Sequence, residues 1–517
     1  MTLPTMMKNT SITTLFVFLL FNIAIAYSQE LRPSNLFCDN MVLQHGVSVP
    51  VWGTAKPNEK ITVKFANQRT TTKSGKDGRW MVKLAPLQAS KTPREMIISG
   101  NTEIVLSNVV VGEVWICSGQ SNMQFSAANV PELKALLPTA ENIRSFEVKR
   151  TVSFKEEEDV SGNWAVIPPS SAVAFGFAYF LEKAEEIPIG IIHASWGSSS
   201  IEAWMPRDMA KEFSYFKDIM EALDADTSTR DRISASLDSP EGWSNKEDIF
   251  MRRQPNILYN AMIKPLAPYA CSGLIWYQGE RNTRYISGVP EVSEANWYHR
   301  VIGINEYGDV LKSWVKRYRK EWKNNKMHFA IVMLPGYGKG TSNNPDIDPQ
   351  SPTALSWAWM RESQLKVLDL PYTSVANTID LGDVTNIHPK DKLPVGQRLA
   401  LLAEKYVLNK DVVAEGPVLK EVKTQNNALI IHFNNAKGLK TIDGNAPSGF
   451  WICDESLQWK VAEAKLEGES VVISNDKISR PRYVRYAFAG KPNVNLVNGS
   501  NLPAYPFRTD KEIPTEE

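Results

Sequence analysis

The sequence predicts an α/β protein in which a mostly parallel, doubly wound sheet forms the centre and β segments flank it. Five apolar runs in the middle of the chain end in small or polar residues, and patterns typical of helices separate these runs. Before and after this region, short strand patterns alternate with turn residues, a spacing typical of a β-sandwich. These two observations define the predicted fold class.

The first 28 residues have the features of a secretory signal peptide. Lys8 supplies a positive start, residues 15–25 form a short apolar stretch, and residues 24–26 (Ala-Ile-Ala) match a small-residue cleavage pattern. No later run reaches the about 18 apolar residues that a transmembrane helix needs. We therefore expect an exported protein, periplasmic or extracellular, with no membrane partner after the signal is cleaved.

Length and composition limit the class of the protein. Because 517 residues exceed one typical domain, two or three domains are expected. The predicted division is a signal peptide (1–28), a β-sandwich segment (29–108), a central α/β domain (109–408) and a C-terminal β segment (409–517), whose packing with the N-terminal strands is left open. The net charge of +1 gives no basis for a nucleic-acid partner, and the four scattered cysteines indicate buried thiols or at most one disulfide.

The individual elements follow from hydrophobic periodicity and turn residues. Short strands are predicted in the N-terminal segment at residues 47–51, 61–65, 80–84 and 103–106. The central region has predicted strands at residues 109–116, 187–194, 273–277, 328–334 and 373–379, and predicted helices at residues 172–183, 209–223, 257–266, 310–322 and 359–368. Residues 224–248 and 343–351 are predicted as loops, and strands return at residues 428–433, 471–474 and 483–488.

Ser121 is the candidate nucleophile. It follows a buried strand in the turn Ser118-Gly119-Gln120-Ser121-Asn122-Met123, where an open α/β sheet places its reacting groups. The alternative is that its hydroxyl only caps a following helix. Since carboxyl ends of parallel strands share one edge of the sheet, Gly197, Gln278 and Asp380 are expected on the same rim.

A serine nucleophile needs a base, and His388 is the histidine whose position fits. Of the six histidines, it is the one that follows the carboxyl end of a predicted strand. Its imidazole would take the proton of Ser121 during attack on a carbonyl carbon and return it to the departing alcohol. Oxyanion donors would be the backbone N–H groups of Ser121 and Gly197 and the side-chain amide of Gln278.

Several sequence blocks carry a family resemblance. They are GQSNM at 119–123, SWG at 195–197 followed by IEAW at 201–204, LYNAMI at 258–263, WYQGE at 276–280, and IHP followed by VGQRLA within 387–400. Together they resemble the signature blocks of sialate O-acetylesterases, which belong to the SGNH hydrolase superfamily. MVLQ at 41–44, DGRW at 77–80 and LPAYPFRTD at 502–510 extend the resemblance over nearly the whole mature chain.

The resemblance implies a flavodoxin-like, three-layer α/β/α domain and a serine esterase that removes acetyl groups from sugar hydroxyls, with sialic acid as the named substrate. It implies Ser121 and His388 as the catalytic pair, without a cofactor. Gln120 and Asn122, which flank the serine in the GQSNM block, join Gly197 and Gln278 as candidates for oxyanion or substrate binding.

The chain departs from the family pattern at the residue that orients the base. Many SGNH enzymes have Asp three residues before the histidine, where this chain has Thr385. A backbone carbonyl near Thr385 or Asn386, or the carboxylate of Glu280, would then hold the imidazole, and we favour Glu280; Asp380 and Asp383 are also close in sequence. Arg281 after the QGE block favours an anionic sugar or pairs with a surface acid.

Other functions compete with the sialic acid esterase. The same mechanism could act on acetylated xylan or another O-acetylated glycan, because the blocks recognise the acetyl ester and the loops select the sugar. A non-catalytic glycan-binding protein is a second class, although binding alone has no use for a paired nucleophile and base. A metal centre is a weak third alternative, because the sequence has no HExxH, paired-cysteine or EF-hand pattern. The oligomeric state is left open.

Overall fold

A computed structural model describes residues 30–291, 294–338, 351–352 and 356–514. The predicted signal peptide lies outside the described residues, as does the predicted loop 343–351 except for Ser351. No helix in the described ranges is both long and apolar enough to span a membrane. All four cysteines are described and none forms a disulfide.

The N-terminal segment is built from short strands that lead into one long strand. The strands are β1 (Arg32–Pro33), β2 (Val42–Gln44), β3 (Val49–Thr54), β4 (Lys60–Phe65), β5 (Gln68–Lys73), β6 (Arg79–Leu84), β7 (Ser90–Ser99) and β8 (Glu103–Gly119). Strands β1, β3 and β6 form a separate antiparallel sheet, whereas β2 and β7 both pair with β8. The N-terminal segment and the central sheet therefore share strand β8.

Strand β8 corrects one prediction. The apolar runs 103–106 and 109–116 were expected as two strands, but they form a single strand of 17 residues. At Asn108 the backbone has φ +54°, and the pairing of β7 with β8 shifts register beside it. Asparagine tolerates this left-handed conformation, so the strand passes through a bulge instead of ending.

The central sheet contains all five predicted strands in parallel. To β8 it adds β9 (Ile143–Glu147), β10 (Trp164–Ala165), β11 (Ile189–Ser195), β12 (Gly273–Tyr277), β13 (His328–Val332) and β14 (Thr373–Ala376). The order is β10-β9-β11-β8-β12-β13-β14, and β10 is antiparallel to its neighbour. Sequence patterns missed β9 because Arg144 interrupts its apolar residues; the buried guanidinium donates to the carbonyl oxygens of Asn40 and Asn108.

Nine α-helices occur in the described residues. They are α1 (Ser121–Gln124), α2 (Pro131–Leu136), α3 (Ala172–Glu185), α4 (Ser214–Ala225), α5 (Thr227–Leu237), α6 (Asn245–Met251), α7 (Ile304–Glu321), α8 (Ser356–Leu365) and α9 (Lys392–Tyr406). Helix α3 packs against α9, and α7 packs against α8. A Cβ at Gly396 of α9 would lie 2.6 Å from the backbone of Gly176 in α3, so the two helices meet through glycine.

Two helix predictions are corrected. The predicted loop 224–248 contains α5 and part of α6, whose apolar content is too low for a clear period; Thr229 and Ile233 are the buried residues of α5. Asp226 and Ser244 cap these helices by accepting from backbone N–H groups. The predicted helix 257–266 is instead a π-helical turn, Tyr259–Ile263, followed by a 3-10 turn, Lys264–Leu266.

The C-terminal segment consists of small antiparallel sheets. Its strands are β15 (Val418–Gln425), β16 (Ala428–Asn434), β17 (Lys440–Thr441), β18 (Phe450–Cys453), β19 (Lys460–Val461), β20 (Glu463–Glu467), β21 (Ser470–Ser474), β22 (Tyr483–Tyr486), β23 (Leu496–Val497) and β24 (Phe507–Arg508). The buried Arg361 of α8 donates to the carbonyls of Ala489 and Gly490, and Tyr505 donates to Val375 of β14. These contacts attach the segment to the β14 side of the central sheet.

The contact between α3 and α9 gives a test of the packing. Gly396→Ala should lower the free energy of unfolding by about 1–3 kcal/mol, because the added methyl group meets backbone atoms that cannot rotate away. This loss opposes the intrinsic helix preference of alanine, about 1 kcal/mol over glycine. Urea unfolding of the variant and the wild type measures the difference, and equal or higher stability would contradict the packing argument.

Candidate active site

Ser121 lies at a tight turn between strand β8 and helix α1. Gly119, the last residue of β8, has φ +139°, and a Cβ there would lie 2.2 Å from the carbonyl oxygen of Tyr277. The N–H of Gln120 donates to that same carbonyl at 3.0 Å. Glycine is therefore required for β8 to turn against β12. The turn places Ser121 as the first residue of α1, with its side chain half-buried.

The structure brings Ser121 and His388 together. The Nε2 atom of His388 lies 2.8 Å from the Oγ of Ser121, although the two residues are separated by 267 positions. Burial lowers the pKa of His388, and the nearby charge of Lys392 lowers it further. Since the ordinary pKa of histidine is about 6.5, the imidazole is mainly neutral at pH 7, the form that can accept a proton.

The loop that carries His388 is shaped by its own polar side chains. The exposed carboxylate of Asp383 accepts from the backbone N–H groups of Thr385 and Asn386, at 2.7 and 2.8 Å. The side chain of Asn386 in turn accepts from the N–H of His388 at 2.9 Å. Asp380 instead pairs with Arg398 at 2.6 Å. Both aspartates therefore support the loop without contacting the imidazole.

Glu280 is near the pair but does not bond to the base. Its Oε1 accepts from the amide of Asn122 at 2.6 Å, and its buried Oε2 has no partner among the described residues. In the described part of the chain, no carboxylate hydrogen bonds to the ring of His388. The expected direct contact between Glu280 and His388 is therefore absent, because Asn122 takes the carboxylate. Burial raises the pKa of Glu280.

Asn122 corrects a second expectation. It was a candidate for oxyanion or substrate binding, but its side chain is fully buried and lies beneath the site. Its Nδ2 donates to Glu280 and, at 3.0 Å, to the carbonyl of Ile387, while its Oδ1 accepts from the Nζ of Lys392 at 2.6 Å. Helix α1 turns this residue inward, so its amide has no donor left for a ligand.

Gln278 is also placed differently from the prediction. Its amide Nε2 donates to the side-chain oxygens of Gln120 and Asn282, at 3.1 and 2.8 Å, and the side chain is completely buried. It does not line the pocket. Because its amide donors are used by Gln120 and Asn282, they support Gln120 and do not point at a substrate oxygen.

Gly197 lies at the pocket as expected, with its donor already engaged. Its N–H donates to Oε1 of Gln124 at 2.7 Å, and Gln124 is a residue of α1, three positions after Ser121. None of the hydrogen bonds of the described residues uses the backbone N–H of Ser121. Ser121 and Gly197, whose backbone N–H groups were predicted as oxyanion donors, both line the pocket into which the Ser121 hydroxyl opens.

The Ser121–His388 pair opens into a cavity of about 530 Å³. Its lining combines the predicted residues with side chains that the sequence did not single out: Gln120, Ser121, Gln124, Phe125, Ser126, Asn129, Gly197, Ser198, Arg252, Glu280, Arg281, Ile387 and His388. Of the predicted site residues, Asn122 and Gln278 lie outside this lining.

Arginines give one side of the cavity a positive charge. The guanidinium of Arg281 donates to His299 at 2.9 Å instead of pairing with an acid, and burial together with Arg253 and Arg284 lowers its pKa to about 10. Burial, together with the charges of Arg281, Arg284 and Arg253, lowers the pKa of His299 to about 4. Arg252 pairs with Asp248 at 3.0 Å. The sequence indicated only Arg281, because Arg252, Arg253 and Arg284 lie outside the sequence blocks that marked the site.

Known proteins resemble this chain over most of its length. Sialate O-acetylesterase from Rattus norvegicus is 26% identical over 536 residues, covering 91% of this chain and 93% of the rat protein. The protein of the same name from Homo sapiens is 26% identical and covers 74% of this chain and 73% of its own length. No family model matches the chain.

A solved structure extends the likeness to the fold. The carbohydrate acetylesterase from Xanthomonas citri has a TM-score of 0.76 and 29% sequence identity, and the alignment covers 93% of this chain and 100% of that one. This chain thus shares its mixed α/β architecture with large sheets with the Xanthomonas enzyme. These comparisons confirm the resemblance to the sialate O-acetylesterases that the sequence blocks indicate, and the protein is accordingly a carboxylic ester hydrolase similar to them.

Proposed function

We propose that this protein removes O-acetyl groups from a sugar, with Ser121 as the nucleophile and His388 as the general base. The observation that carries the proposal is the 2.8 Å hydrogen bond between the two side chains at an open cavity. The similar proteins are named a sialate O-acetylesterase and a carbohydrate acetylesterase. These names support the O-acetyl ester of a sugar as the bond that is broken.

In the first step, the Oγ of Ser121 attacks the acetyl carbonyl carbon while Nε2 of His388 takes the hydroxyl proton. The tetrahedral intermediate then releases the sugar oxygen, which receives that proton and leaves as a hydroxyl group, and the acetyl group stays on Ser121. In the second step, His388 takes a proton from water as the water attacks the acetyl group. The bond to Oγ breaks as His388 returns its proton to Ser121, and acetic acid leaves and gives up its own proton to solvent as acetate.

Negative charge on the carbonyl oxygen would be stabilised by backbone donors. The N–H of Ser121 and the N–H of Gly197 border the cavity beside the nucleophile, and donors of this kind contribute about 3–4 kcal/mol each. Gly197 can serve only when Oε1 of Gln124 gives up its hydrogen bond. The buried side chain of Gln278 has no part in this proposal.

The central domain is proposed to have the three layers of SGNH hydrolases. Trp115 of β8 packs on Phe177 of α3, whereas Trp276 of β12 packs on Trp314 of α7, with ring centroids 5.2 and 4.6 Å apart. Trp276 pairs with Ser118, three residues from Trp115, so the two tryptophans point to opposite faces of the sheet. An experimental structure with α3 and α7 on one face would contradict this arrangement.

Sialic acid is the proposed sugar, and the charge of the cavity is the observation that favours it over neutral xylan. Arg281 and Arg252 line the pocket, and Arg253 donates to Ser198, which also lines it. Arg252 pairs with Asp248, whereas Arg281 and Arg253 form no ion pair within the described residues, so positive charge is left for a ligand. A carboxylated sugar would neutralise it.

Ser121→Ala should reduce acetate release from a simple aryl acetate by about 10⁴-fold or more, because no other hydroxyl is bonded to His388 in the described residues. Ser234→Ala, on the exposed side of α5, is the matched control and should keep full activity. If the wild type releases no acetate from any acetyl ester yet still binds sugar, the glycan-binding alternative is correct and the esterase proposal is wrong.

Arg281→Met should raise the KM for O-acetylated sialic acid by about 10- to 100-fold, the effect of losing one hydrogen bond to a charged group. The same substitution should barely change the KM for the methyl ester of this sugar, because the ester has no negative charge for Arg281 to bind. Arg480→Met, at an exposed position, controls for the loss of a cation. Faster release from acetylated xylan, with no effect of Arg281→Met on either substrate, would contradict the choice of sugar and leave the esterase mechanism intact.

Export is proposed from the N-terminal sequence, with residues 1–28 as a signal peptide. Expression in a secreting host should give a mature protein whose first residue lies near position 29. N-terminal sequencing measures this directly, and a chain that keeps Met1 would contradict cleavage.

A further inference from the structure

We propose that Lys392 is a positioning residue for the hydrolysis, because its ammonium group fixes the amide of Asn122 and, through it, the backbone that carries His388. The inference rests on the proposed esterase mechanism. It concerns a residue that neither the sequence blocks nor the cavity lining points to, since Lys392 lies beneath the pocket at the start of helix α9.

Complete burial of the ammonium group of Lys392 is energetically unfavourable. The residue has 0% exposure, and its Nζ forms no ion pair within the described part of the chain. The contacts of Nζ are the Oδ1 of Asn122 at 2.6 Å and the faces of Phe125 and Tyr277, at 5.3 and 5.2 Å from the ring centroids. A cation is also unfavourable at a helix N-terminus. Neither helix electrostatics nor ion pairing therefore explains a buried ammonium group at this point.

The charges on either side of Asn122 determine which way its amide faces. Oδ1 accepts from the ammonium group of Lys392, and Nδ2 donates to the carboxylate of Glu280 at 2.6 Å and to the carbonyl of Ile387 at 3.0 Å. A flipped amide would place NH₂ against the ammonium group and oxygen against two acceptors, so all three bonds would be lost. Lys392 and Glu280 together leave one orientation.

That orientation matters because of what Asn122 joins. It directly follows the nucleophile Ser121 in α1, and the carbonyl that it holds belongs to Ile387, which directly precedes His388. One amide therefore connects the helix that carries the nucleophile to the loop that carries the base. A misplacement of about 1 Å between two reacting groups can lower the rate by about 100-fold, so loss of this connection should slow the reaction.

The ammonium group also acts on the base through its charge. The charged or titratable groups facing it are Glu280 from the turn after β12, Asp391 before α9, Tyr277 of β12 and His388 of the loop. Burial lowers the pKa of Lys392 to about 7, and Glu280 and Asp391 oppose the shift. Lys392 is thus charged in the acidic range where His388 titrates, and it lowers the pKa of His388.

Lys392→Met tests the inference, since it keeps the length of the side chain and removes both its charge and its donor. We expect kcat to fall by about 10- to 100-fold while KM stays within about threefold. The acidic limb of the kcat/KM profile should move to higher pH, because the imidazole is more easily protonated once the neighbouring cation is gone. Acetate release from an aryl acetate between pH 4 and 8 gives both readouts.

Lys264→Met is the matched control, because Lys264 is a half-buried lysine bonded to Glu156 and Glu321, at a different place in the fold. It should lose stability without a change in kcat or in the pH profile. A second test uses Asn122→Ala: if Lys392 acts through Asn122, adding Lys392→Met to this variant should cost less than about threefold more in kcat.

Lys392→Gln keeps the test decisive if the methionine variant does not fold. Glutamine is neutral but still a donor, so the pH limb should shift while kcat falls less than it would with methionine. Wild-type kcat and an unmoved acidic limb in a folded Lys392 variant would overturn the inference and leave the esterase proposal in place. Absence of acetate release by the wild type would instead overturn the esterase proposal itself.

Discussion

The site depends on the close approach of Gly119 to strand β12. Without a side chain at this residue, β8 can end directly against the carbonyl of Tyr277, and helix α1 can begin two residues later. Any Cβ would push the two strands apart and move Ser121 from the edge where the loop of His388 passes. Because β2 and β7 pair with the long strand β8, the position of β8 also fixes these strands of the N-terminal segment.

A layer of buried amides lies below the reacting groups. Gln278 donates to Asn282, Asn122 bonds to Glu280, Ile387 and Lys392, and all three amide side chains are fully buried. A buried amide whose donors are all used costs little, whereas one unpaired donor costs about 1–3 kcal/mol. Asn122 of the GQSNM block and Gln278 of the WYQGE block thus serve mainly to support the pocket rigidly.

The sequence was sufficient to predict the features that depend on strand order. It was not sufficient to predict the features that depend on the direction of a side chain. Ser121 and His388 were predicted to meet because both follow strands whose carboxyl ends share an edge, and the structure brings them together. The roles of Asn122 and Gln278 could not be predicted in this way, because an amide can face a pocket or a core with the same local pattern. Strand β9 was missed because the buried Arg144 interrupts its apolar residues, and helix α5 was missed because its apolar content is too low for a clear period.

The hydrogen bond between the N–H of Gly197 and Oε1 of Gln124 has a consequence for the energetics of turnover. In the proposed mechanism, the carbonyl oxygen of the substrate replaces the neutral amide oxygen of Gln124 at this donor, so a neutral ester would gain almost nothing on arrival. Only when the carbonyl oxygen becomes an anion does the exchange become favourable, because charged acceptors bind about twice as strongly as neutral ones. Under the proposed mechanism, Gln124 would thereby cancel ground-state affinity at this donor, and the difference between the charged and the neutral hydrogen bond would lower the barrier to attack on the acetyl carbon.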